Sequence, residues 1–244
     1  MVQKRKMTTK SNVLEALEKN RGSFISGADL AKQCGVSRNA VWKAITELKK
    51  DGYEIASVSN KGYSLSECSD IISGEGISLY LDEKLGCSVT VFDEIDSTNT
   101  EAKRMLISDG SSLLHGTVII ARTQTSGRGH EGKGFDSPEG GIYLSVILEP
   151  KKYKKKNVTE HVSKAVKKSL EDSLGMNLTV KKHSALYQGR TKICGILSEG
   201  ILDLETGIYS NYIIGIGIRT DSLKQSAPIT RNELIAKVVT GILS

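Results

Sequence analysis

Apolar residues in the first seventy positions recur at helical spacing in short segments that are separated by polar turns. In the first segment, residues 11–20, Ser11 is expected to cap a helix that carries Val13, Leu14 and Leu17 on one face. Such a face needs a partner to pack against. The pattern therefore predicts a small helical domain at the N-terminus rather than an isolated helix.

Two further helices follow with clear start and stop signals. Ser26 and Asp29 have the spacing of a capping box, which predicts a helix that begins at Gly27 and ends at Gly35. Ser37 is the expected cap of a third helix. The apolar row of this third helix consists of Val41, Ile45 and Leu48. Two short helices joined by a glycine-containing turn are typical of a helix-turn-helix.

A wing is predicted directly after the third helix. Residues 53–59 and 62–65 have the pattern of two strands around the turn Asn60-Lys61-Gly62. Trp42 is expected to pack against this wing. The third helix and the turn present the residues expected to contact DNA, which are Ser37, Arg38, Asn39, Lys43 and Lys61. A small three-helix module that binds another protein is the alternative.

From about residue 88 onward, strand patterns and helix patterns interleave without strict alternation. Residues 116–122 and 142–148 are rich in β-branched and apolar residues, and 158–173 and 231–243 have helical periodicity. This order predicts an α/β fold of the mixed-sheet (α+β) type, preceded by the winged helix-turn-helix domain. The expected boundaries are 1–66 for the first domain, 67–75 for a linker and 76–244 for the second domain.

The charge of the 244-residue chain, +6 in total, is concentrated in its first part. Residues 1–70 carry 12 Lys and Arg against 8 Asp and Glu. This excess favours a polyanionic partner for the first domain, such as operator DNA. A solvated, lysine-rich surface is the alternative.

Several classes of protein are disfavoured by composition. The longest apolar run, Tyr212–Ile218, is much shorter than the ~20 residues needed to cross a bilayer, so we expect no membrane association. No apolar stretch follows the basic N-terminus, so a secretory signal is not expected. The four cysteines are widely spaced, which argues against a zinc site or a disulfide framework and favours the cytoplasm.

Residues 123–141 form a loop with many glycines and interleaved positive charges. Backbone N–H groups at Gly127, Gly129 and Gly134 could approach a ligand closely, and Arg128 and Lys133 add positive charge. The loop is therefore a candidate cradle for a phosphate or a carboxylate. It matches neither the P-loop nor the Rossmann pattern, and a flexible surface loop is the alternative.

Five ordered segments of the chain resemble the motifs of biotin protein ligases, particularly the bifunctional ligase/repressor type that carries an N-terminal helix-turn-helix. The segments are Asp96-Ser-Thr-Asn-Thr-Glu-Ala, Gln124-Thr-Ser-Gly-Arg-Gly, Ser137-Pro-Glu-Gly-Gly-Ile-Tyr-Leu-Ser, Lys192-Ile-Cys-Gly-Ile-Leu-Ser-Glu and Ile214-Gly-Ile-Gly-Ile. The resemblance covers nearly the whole chain.

The resemblance implies that the chain joins biotin to AMP with MgATP and passes the biotinyl group to a lysine of a biotin carboxyl carrier protein. It also implies operator binding as a homodimer that biotinyl-adenylate promotes. The implied catalytic residues are Lys192 and Arg128. The implied ligand-binding residues are Ser97, Thr98, Asn99, Gln124, Gly127, Arg128, Gly129, His130, Lys133, Lys192 and Gly195. No resident metal is expected.

The chain departs from the family pattern on the side expected to bind the nucleotide. His130 and Lys133 stand where the family has arginines, Phe135 stands at a tryptophan position, and Ser184-Ala185 replaces an Asn-Asp pair. Arg219 replaces an asparagine. The family's small C-terminal β-barrel also has no counterpart in the sequence. Two hypotheses follow: a working ligase and repressor, or a regulator that binds biotin or a related small acid and has lost ligation.

Overall fold

The computed structural model describes residues 8–109, 115–153, 157–181, 184–219 and 229–244. They divide into two compact units, before and after the boundary between Tyr80 and Leu81. The basic residues 1–7, and Lys182 and His183 of the segment that departs from the family pattern, lie outside the described residues.

The first unit is a helix-turn-helix followed by a two-stranded wing. Strands β1 and β2 pair antiparallel, with Ile55 opposite Leu65. The elements of the unit are α1 (Thr9–Lys19), α2 (Gly27–Cys34), α3 (Arg38–Lys50), β1 (Ile55–Val58), β2 (Gly62–Leu65) and α4 (Gly74–Ser78). The predicted winged helix-turn-helix is thereby confirmed.

The helix ends are fixed by local hydrogen bonds. The Ser26 hydroxyl accepts from the N–H of Asp29, and Gly35 has the left-handed φ of 65° that ends α2, as predicted. The prediction for α1 is wrong by three residues: Thr8, not Ser11, is the cap. Its hydroxyl accepts from the Ser11 N–H at 3.1 Å, so the helix begins at Thr9.

The three helices and the wing enclose one apolar core. Its members include the predicted residues Val13, Leu14, Leu17, Val41, Ile45 and Leu48. Trp42 lies outside this core. The indole is 56% exposed and is not among the residues of this core, although it lies next to Val41 in the sequence.

The segment that the sequence assigns to a linker is held against the first unit. The Arg21 guanidinium donates to the carbonyl oxygens of Ser66 at 3.0 Å and Ser69 at 2.6 Å. Ser69 and Ile72 are buried. The chain therefore remains packed through α4, which the sequence did not predict because it has only five residues.

The second unit contains a mixed seven-stranded sheet in the order β3-β4-β5-β9-β8-β7-β6. Strands β3 and β4 are parallel and all other pairs are antiparallel. The elements are β3 (Ser88–Ile95), α5 (Thr98–Asp109), β4 (Thr117–Gln124), β5 (Ile142–Leu148), α6 (Val158–Leu174), β6 (Thr179–Val180), β7 (Leu186–Gln188), β8 (Thr191–Leu202), β9 (Tyr209–Ile218) and α7 (Arg231–Leu243). The predicted fold class is confirmed.

Helix α5 determines which face of the sheet carries the site. Ala102 packs with Ile119, Ile147 and Ile213 from three neighbouring strands. Side chains two residues apart on a strand share a face. Positions 145, 215 and 217 therefore point to the same side of the sheet as α5. Among the described residues, none of the helices combines the length and the apolar character needed to cross a membrane.

Candidate functional site

The start of α5 brings three polar side chains into the interior. Ser97, Thr98 and Asn99 are each less than 5% exposed. The Ser97 carbonyl accepts from the Glu101 N–H at 2.9 Å, so Ser97 is the residue that directly precedes α5 and closes its first turn. Buried polar side chains are costly unless they are hydrogen-bonded. The partners of these residues therefore define the site.

Gln124, at the end of β4, connects the start of α5 to the glycine-rich loop. Its Oε1 accepts from the Thr98 N–H at 2.9 Å, and its Nε2 donates to the Ser137 hydroxyl at 2.8 Å. That hydroxyl donates in turn to the carbonyl oxygen of Phe135 at 2.9 Å. The amide of Gln124 is thus held in one orientation.

Asn99 is held from two sides. Its Nδ2 donates to Oε2 of Glu199 at 2.7 Å, and its Oδ1 accepts from the Ser145 hydroxyl at 2.5 Å. The Lys103 ammonium donates to the other carboxylate oxygen of Glu199 at 2.7 Å. Burial alone would raise the pKa of Glu199, but the hydrogen bonds from Lys103 and Asn99 hold it below its usual value. Glu199 is therefore a charged anchor for Asn99.

The glycine-rich loop folds back on itself beside these residues. Arg128 and Gly134 form an isolated β-bridge, and the Phe135 N–H donates to the Gly127 carbonyl at 2.8 Å. A Cβ at Gly127 would overlap the Phe135 carbonyl oxygen, so the turn requires glycine there. The Lys133 ammonium lies 3.1 Å from the Glu131 carboxylate.

Strands β8 and β9 form a floor of glycines under the Phe135 ring. Gly195 pairs with Gly217 across the two strands. A Cβ at Gly217 would overlap the ring, and one at Gly195 would lie 2.8 Å from its Cε2. The Lys192 ammonium lies 5.4 Å from the ring centroid, within the range of a cation–π contact.

These residues surround a cavity of about 270 Å³, near the lower limit for small-molecule sites. It is lined by all but one of the ligand-binding residues expected from the sequence: Ser97, Thr98, Asn99, Gln124, Arg128, Gly129, His130, Lys133, Lys192 and Gly195. The exception is Gly127, which does not line the cavity and packs against Phe135 and Ser137 within the loop. Both implied catalytic residues, Lys192 and Arg128, line this cavity.

Other lining residues were not predicted as site residues. Tyr187 comes from β7, a strand of three residues that has no clear sequence pattern. Gly215 lies against Asn99, so closely that a Cβ would be 2.5 Å from its Oδ1. Glu199 does not line the cavity but fixes Asn99. Its position at the end of the Lys192–Glu199 motif was the available signal.

Some of the residues that depart from the family pattern line the cavity, on the side expected to bind the nucleotide. Ala185 and Phe135 line it. Ser184 has a left-handed φ of 57°. Arg219 is not among the lining residues, and its guanidinium lies 4.0 Å from the exposed Asp136 carboxylate. This side thus has alanine where the family pattern has an acid.

The residues expected to contact DNA are all in the first unit and all exposed. Ser37, Arg38, Asn39 and Lys43 lie at the start of α3, and Lys61 lies at the tip of the wing. The Ser37 hydroxyl accepts from the Ala40 N–H at 3.2 Å, so it caps the helix. The Lys61 ammonium lies 5.9 Å from the Phe24 ring centroid.

No group of three or more His, Cys, Asp and Glu side chains in the described ranges is arranged to hold a metal ion. The described cysteines carry free thiols, and burial raises the pKa of the Cys194 thiol to about 12. This thiol beside the cavity is therefore neutral at physiological pH and a poor nucleophile.

Two family models match the chain. Residues 9–64 match an HTH domain, and residues 91–218 match the biotin/lipoate A/B protein ligase family. The second match includes the start of α5, the glycine-rich loop and strands β8 and β9.

Known proteins with the same organisation are similar over most of the chain. The bifunctional ligase/repressor BirA of Bacillus subtilis is 31% identical over 225 residues, 91% of this chain and 68% of that protein. BirA of Escherichia coli is 34% identical over 200 residues, 81% of this chain and 60% of that protein. A biotin protein ligase from Aquifex aeolicus in complex with biotin and ATP is 26% identical with a TM-score of 0.50, covering 64% of this chain and 68% of that one.

Proposed function

Because this chain belongs to the biotin/lipoate A/B protein ligase family, we propose that it is a biotin-responsive transcriptional repressor and a biotin ligase. In this function the second unit condenses biotin with ATP and transfers the biotinyl group to a lysine of a biotin carboxyl carrier protein. The first unit binds operator DNA. The shared organisation with the bifunctional ligase/repressors supports both parts.

The observation that carries the proposal is that the cavity lining combines neutral polar residues, here called the neutral wall, with cationic residues, here called the cationic wall. Asn99, Gln124 and their neighbours offer amide and hydroxyl groups, whereas Arg128, Lys133 and Lys192 offer positive charge. Biotin likewise combines a neutral ureido ring at one end with a carboxylate at the other. We assign Ser97, Thr98, Asn99 and Gln124 to the ureido ring.

The cationic wall suits the chemistry of adenylate formation. A biotin carboxylate oxygen attacks the α-phosphorus of ATP, an acyl–phosphate bond forms and pyrophosphate leaves. Two anions must meet in this step, so fixed cations and backbone donors are needed where they approach. We assign this role to Lys192, with Arg128 of the glycine-rich loop beside it at the ligand.

In the transfer step, the main requirement is that the carrier lysine can reach the acyl carbon of the bound adenylate. The neutral ε-amine of a carrier lysine attacks the acyl carbon, AMP leaves and the amine nitrogen loses a proton. Mg²⁺ would enter with the ATP phosphates, because such ions are commonly bound through substrate phosphates and few carboxylates. His130 and Lys133 would contact the nucleotide.

The repressor function uses the exposed face of α3 and the tip of the wing. Helix-turn-helix proteins commonly bind two half-sites as dimers. We propose a homodimer whose operator affinity rises when the second unit has bound biotin or biotinyl-AMP. Arg38, Asn39 and Lys43 would contact bases or phosphates, with Ser37 and Lys61 beside the phosphates.

One observation favours a second candidate, a regulator that binds biotin and does not ligate it. On the neutral wall the side chains of Asn99 and Gln124 are held by hydrogen bonds, whereas the nucleotide side has Ala185 in place of an acid and His130 in place of an arginine. Histidine is mostly neutral at pH 7 and has no bidentate guanidinium fork. Retention of a nucleotide would therefore be weaker.

Pyrophosphate exchange distinguishes the two candidates. In a working ligase, biotin drives incorporation of labelled pyrophosphate into ATP, and Lys192→Ala abolishes it while calorimetry still detects biotin binding. Lys164→Ala, on the exposed side of α6, is the matched control. Biotin binding without exchange in the wild type would exclude the ligase and leave the regulator. Operator affinity at fixed salt, with and without biotin, tests the repressor.

A further inference from the structure

Trp42 is an exposed aromatic residue on a helix whose other large apolar residues are buried. Val41, Ile45 and Leu48 are at most 2% exposed, whereas Trp42 is 56% exposed. Its indole N–H makes no hydrogen bond with any described residue. The one hydrogen bond that a described side chain makes to Trp42 comes from the Thr46 hydroxyl and goes to the backbone carbonyl. More than half of the indole is therefore available for contact with a partner.

Trp42 lies in a row of positive charges. Arg38 precedes it by one helical turn and Lys49 follows it by two, so the three side chains lie on the same side of α3. The Lys49 ammonium donates to the Ser57 hydroxyl on β1 at 2.8 Å. Trp42 is therefore on the side of the helix that adjoins the wing.

The charges around Trp42 favour a polyanion as the partner. The exposed residues nearest to it in the helix are Arg38, Asn39 and Lys43. An α-helix fits the major groove of duplex DNA, where the thymine 5-methyl group is the main apolar feature. An exposed indole between cations is therefore suited to the major groove of DNA, where the indole can contact thymine methyl groups and the cations can contact phosphates.

We propose that Trp42 reads DNA sequence, with its indole packed on thymine 5-methyl groups in the major groove while Arg38 and Lys49 neutralise flanking phosphates. This inference rests on the proposed operator binding and adds to it a residue and a base preference. Contacts between cations and phosphates do not distinguish DNA sequences. The indole would add an apolar contact that does.

The first test uses the fact that Trp42 is the single tryptophan of the chain. Duplexes are selected from a randomised 40-base-pair pool with the wild-type protein and then titrated into it. We expect DNA to shift the indole emission and to protect it from acrylamide. Bound DNA without any change in emission or quenching would overturn the proposal. Quenching protection that depends on protein concentration without DNA would also overturn it, because it would assign Trp42 to an interface between copies.

The second test removes the methyl group itself. Replacing thymine by uracil in the selected site should weaken wild-type binding by about tenfold and should have less than about a twofold effect on Trp42→Ala. Tyr80→Ala, another exposed aromatic in the same unit, should respond like the wild type. Equal uracil sensitivity in Trp42→Ala and the wild type would overturn the base contact while leaving operator binding intact. Failure of the wild type to select any duplex would instead refute the proposed repressor function.

Discussion

The Glu199 carboxylate accepts a hydrogen bond from the Asn99 side-chain amide at 2.7 Å, joining two residues that are 100 positions apart. Ser145 donates to the amide oxygen of Asn99 from the opposite side. The amide is thus fixed before any ligand arrives. Preorganised groups lose less entropy on binding, so Glu199 contributes to the affinity of the cavity from outside it.

Replacement of Glu199 tests this role. In Glu199→Ala, Asn99 and Lys103 lose their shared acceptor, and hydrogen bonds to charged groups contribute about 1.5–3 kcal/mol. We expect biotin affinity, measured by calorimetry, to fall roughly tenfold to a hundredfold. Glu199→Gln keeps one acceptor oxygen, so its biotin affinity should lie between those of Glu199→Ala and the wild type. Glu205→Ala, on the exposed turn after β8, is the control. Biotin binding by Glu199→Ala within twofold of the wild type would refute the role.

The charge of Glu199 also predicts a pH dependence. Burial raises the pKa of this carboxyl, and the hydrogen bonds from Lys103 and Asn99, with the nearby Arg128 charge, lower it below the ordinary 4.5. The anchor is therefore present above pH 4.5 and is lost only as the pH falls through this lowered value.

Removing Lys103 should shift that limit upward. In Lys103→Met the hydrogen bond and charge of Lys103 no longer oppose the effect of burial on Glu199. The pKa of Glu199 therefore rises, and biotin affinity begins to fall at a higher pH than in the wild type. Lys103→Arg keeps the charge and should keep the wild-type profile. The measurement is biotin affinity across a pH series from 8 downward. Superimposable profiles for Lys103→Met and the wild type would show that the ion pair does not set the ionisation of Glu199.

Much of the fold could be predicted because its signals are local. Ser26, Gly35 and Ser37 mark helix ends through hydrogen bonds and φ values that involve residues at most a few positions away. Strand β5 and helix α7 are found at their predicted bounds. The three-residue strand β7 and the five-residue helix α4 were missed because so few residues show no periodicity.

The cavity could be predicted only in part. The ordered motifs placed Asn99, Gln124 and Lys192 among the ligand-binding candidates, and all three line the cavity. The partnership of Asn99 with Glu199, and of Phe135 with Gly217, depends on how the strands align and on where α5 lies on the sheet. Single-chain patterns do not encode that alignment. The exposure of Trp42, 56%, could not be predicted because helical spacing does not say how wide the buried face of a helix is.

The contact between Gly217 and Phe135 predicts a steric effect on the site. A Cβ at Gly217 would overlap the Phe135 ring, so Gly217→Ala should push the ring and its loop away from the floor of the cavity. Overpacking of this kind costs about 1–3 kcal/mol, and we expect a roughly tenfold loss of biotin affinity. The control is Gly241→Ala on α7, which is not among the residues that line the cavity and whose Cβ would lie 2.9 Å from the Ser169 hydroxyl oxygen. Partial recovery in Gly217→Ala/Phe135→Ala would assign the loss to this contact, and no recovery would refute that origin.

Gly62, at the start of β2, predicts where the wing is most sensitive. Its φ of 100° disfavours any side chain, and a Cβ would also overlap the Ile25 carbonyl oxygen. That carbonyl accepts from the Tyr63 N–H at 2.9 Å, so the overlap would break the bond that joins the wing to the start of α2. Gly35→Ala carries a backbone penalty without the overlap, because nothing lies within 4 Å of its Cβ position.

We expect Gly62→Ala to destabilise the first unit by about 2–5 kcal/mol, against about 1–2 kcal/mol for Gly35→Ala. Hydrogen exchange of the Ile25 and Tyr63 amides measures this locally, without requiring the two units to unfold together. Exchange in Gly62→Ala should be fast at both amides, while amides in β5 keep wild-type rates. Equal protection in the two variants would mean that the backbone moves to accommodate the new Cβ, and that the close approach of Gly62 to Ile25 does not stabilise the wing.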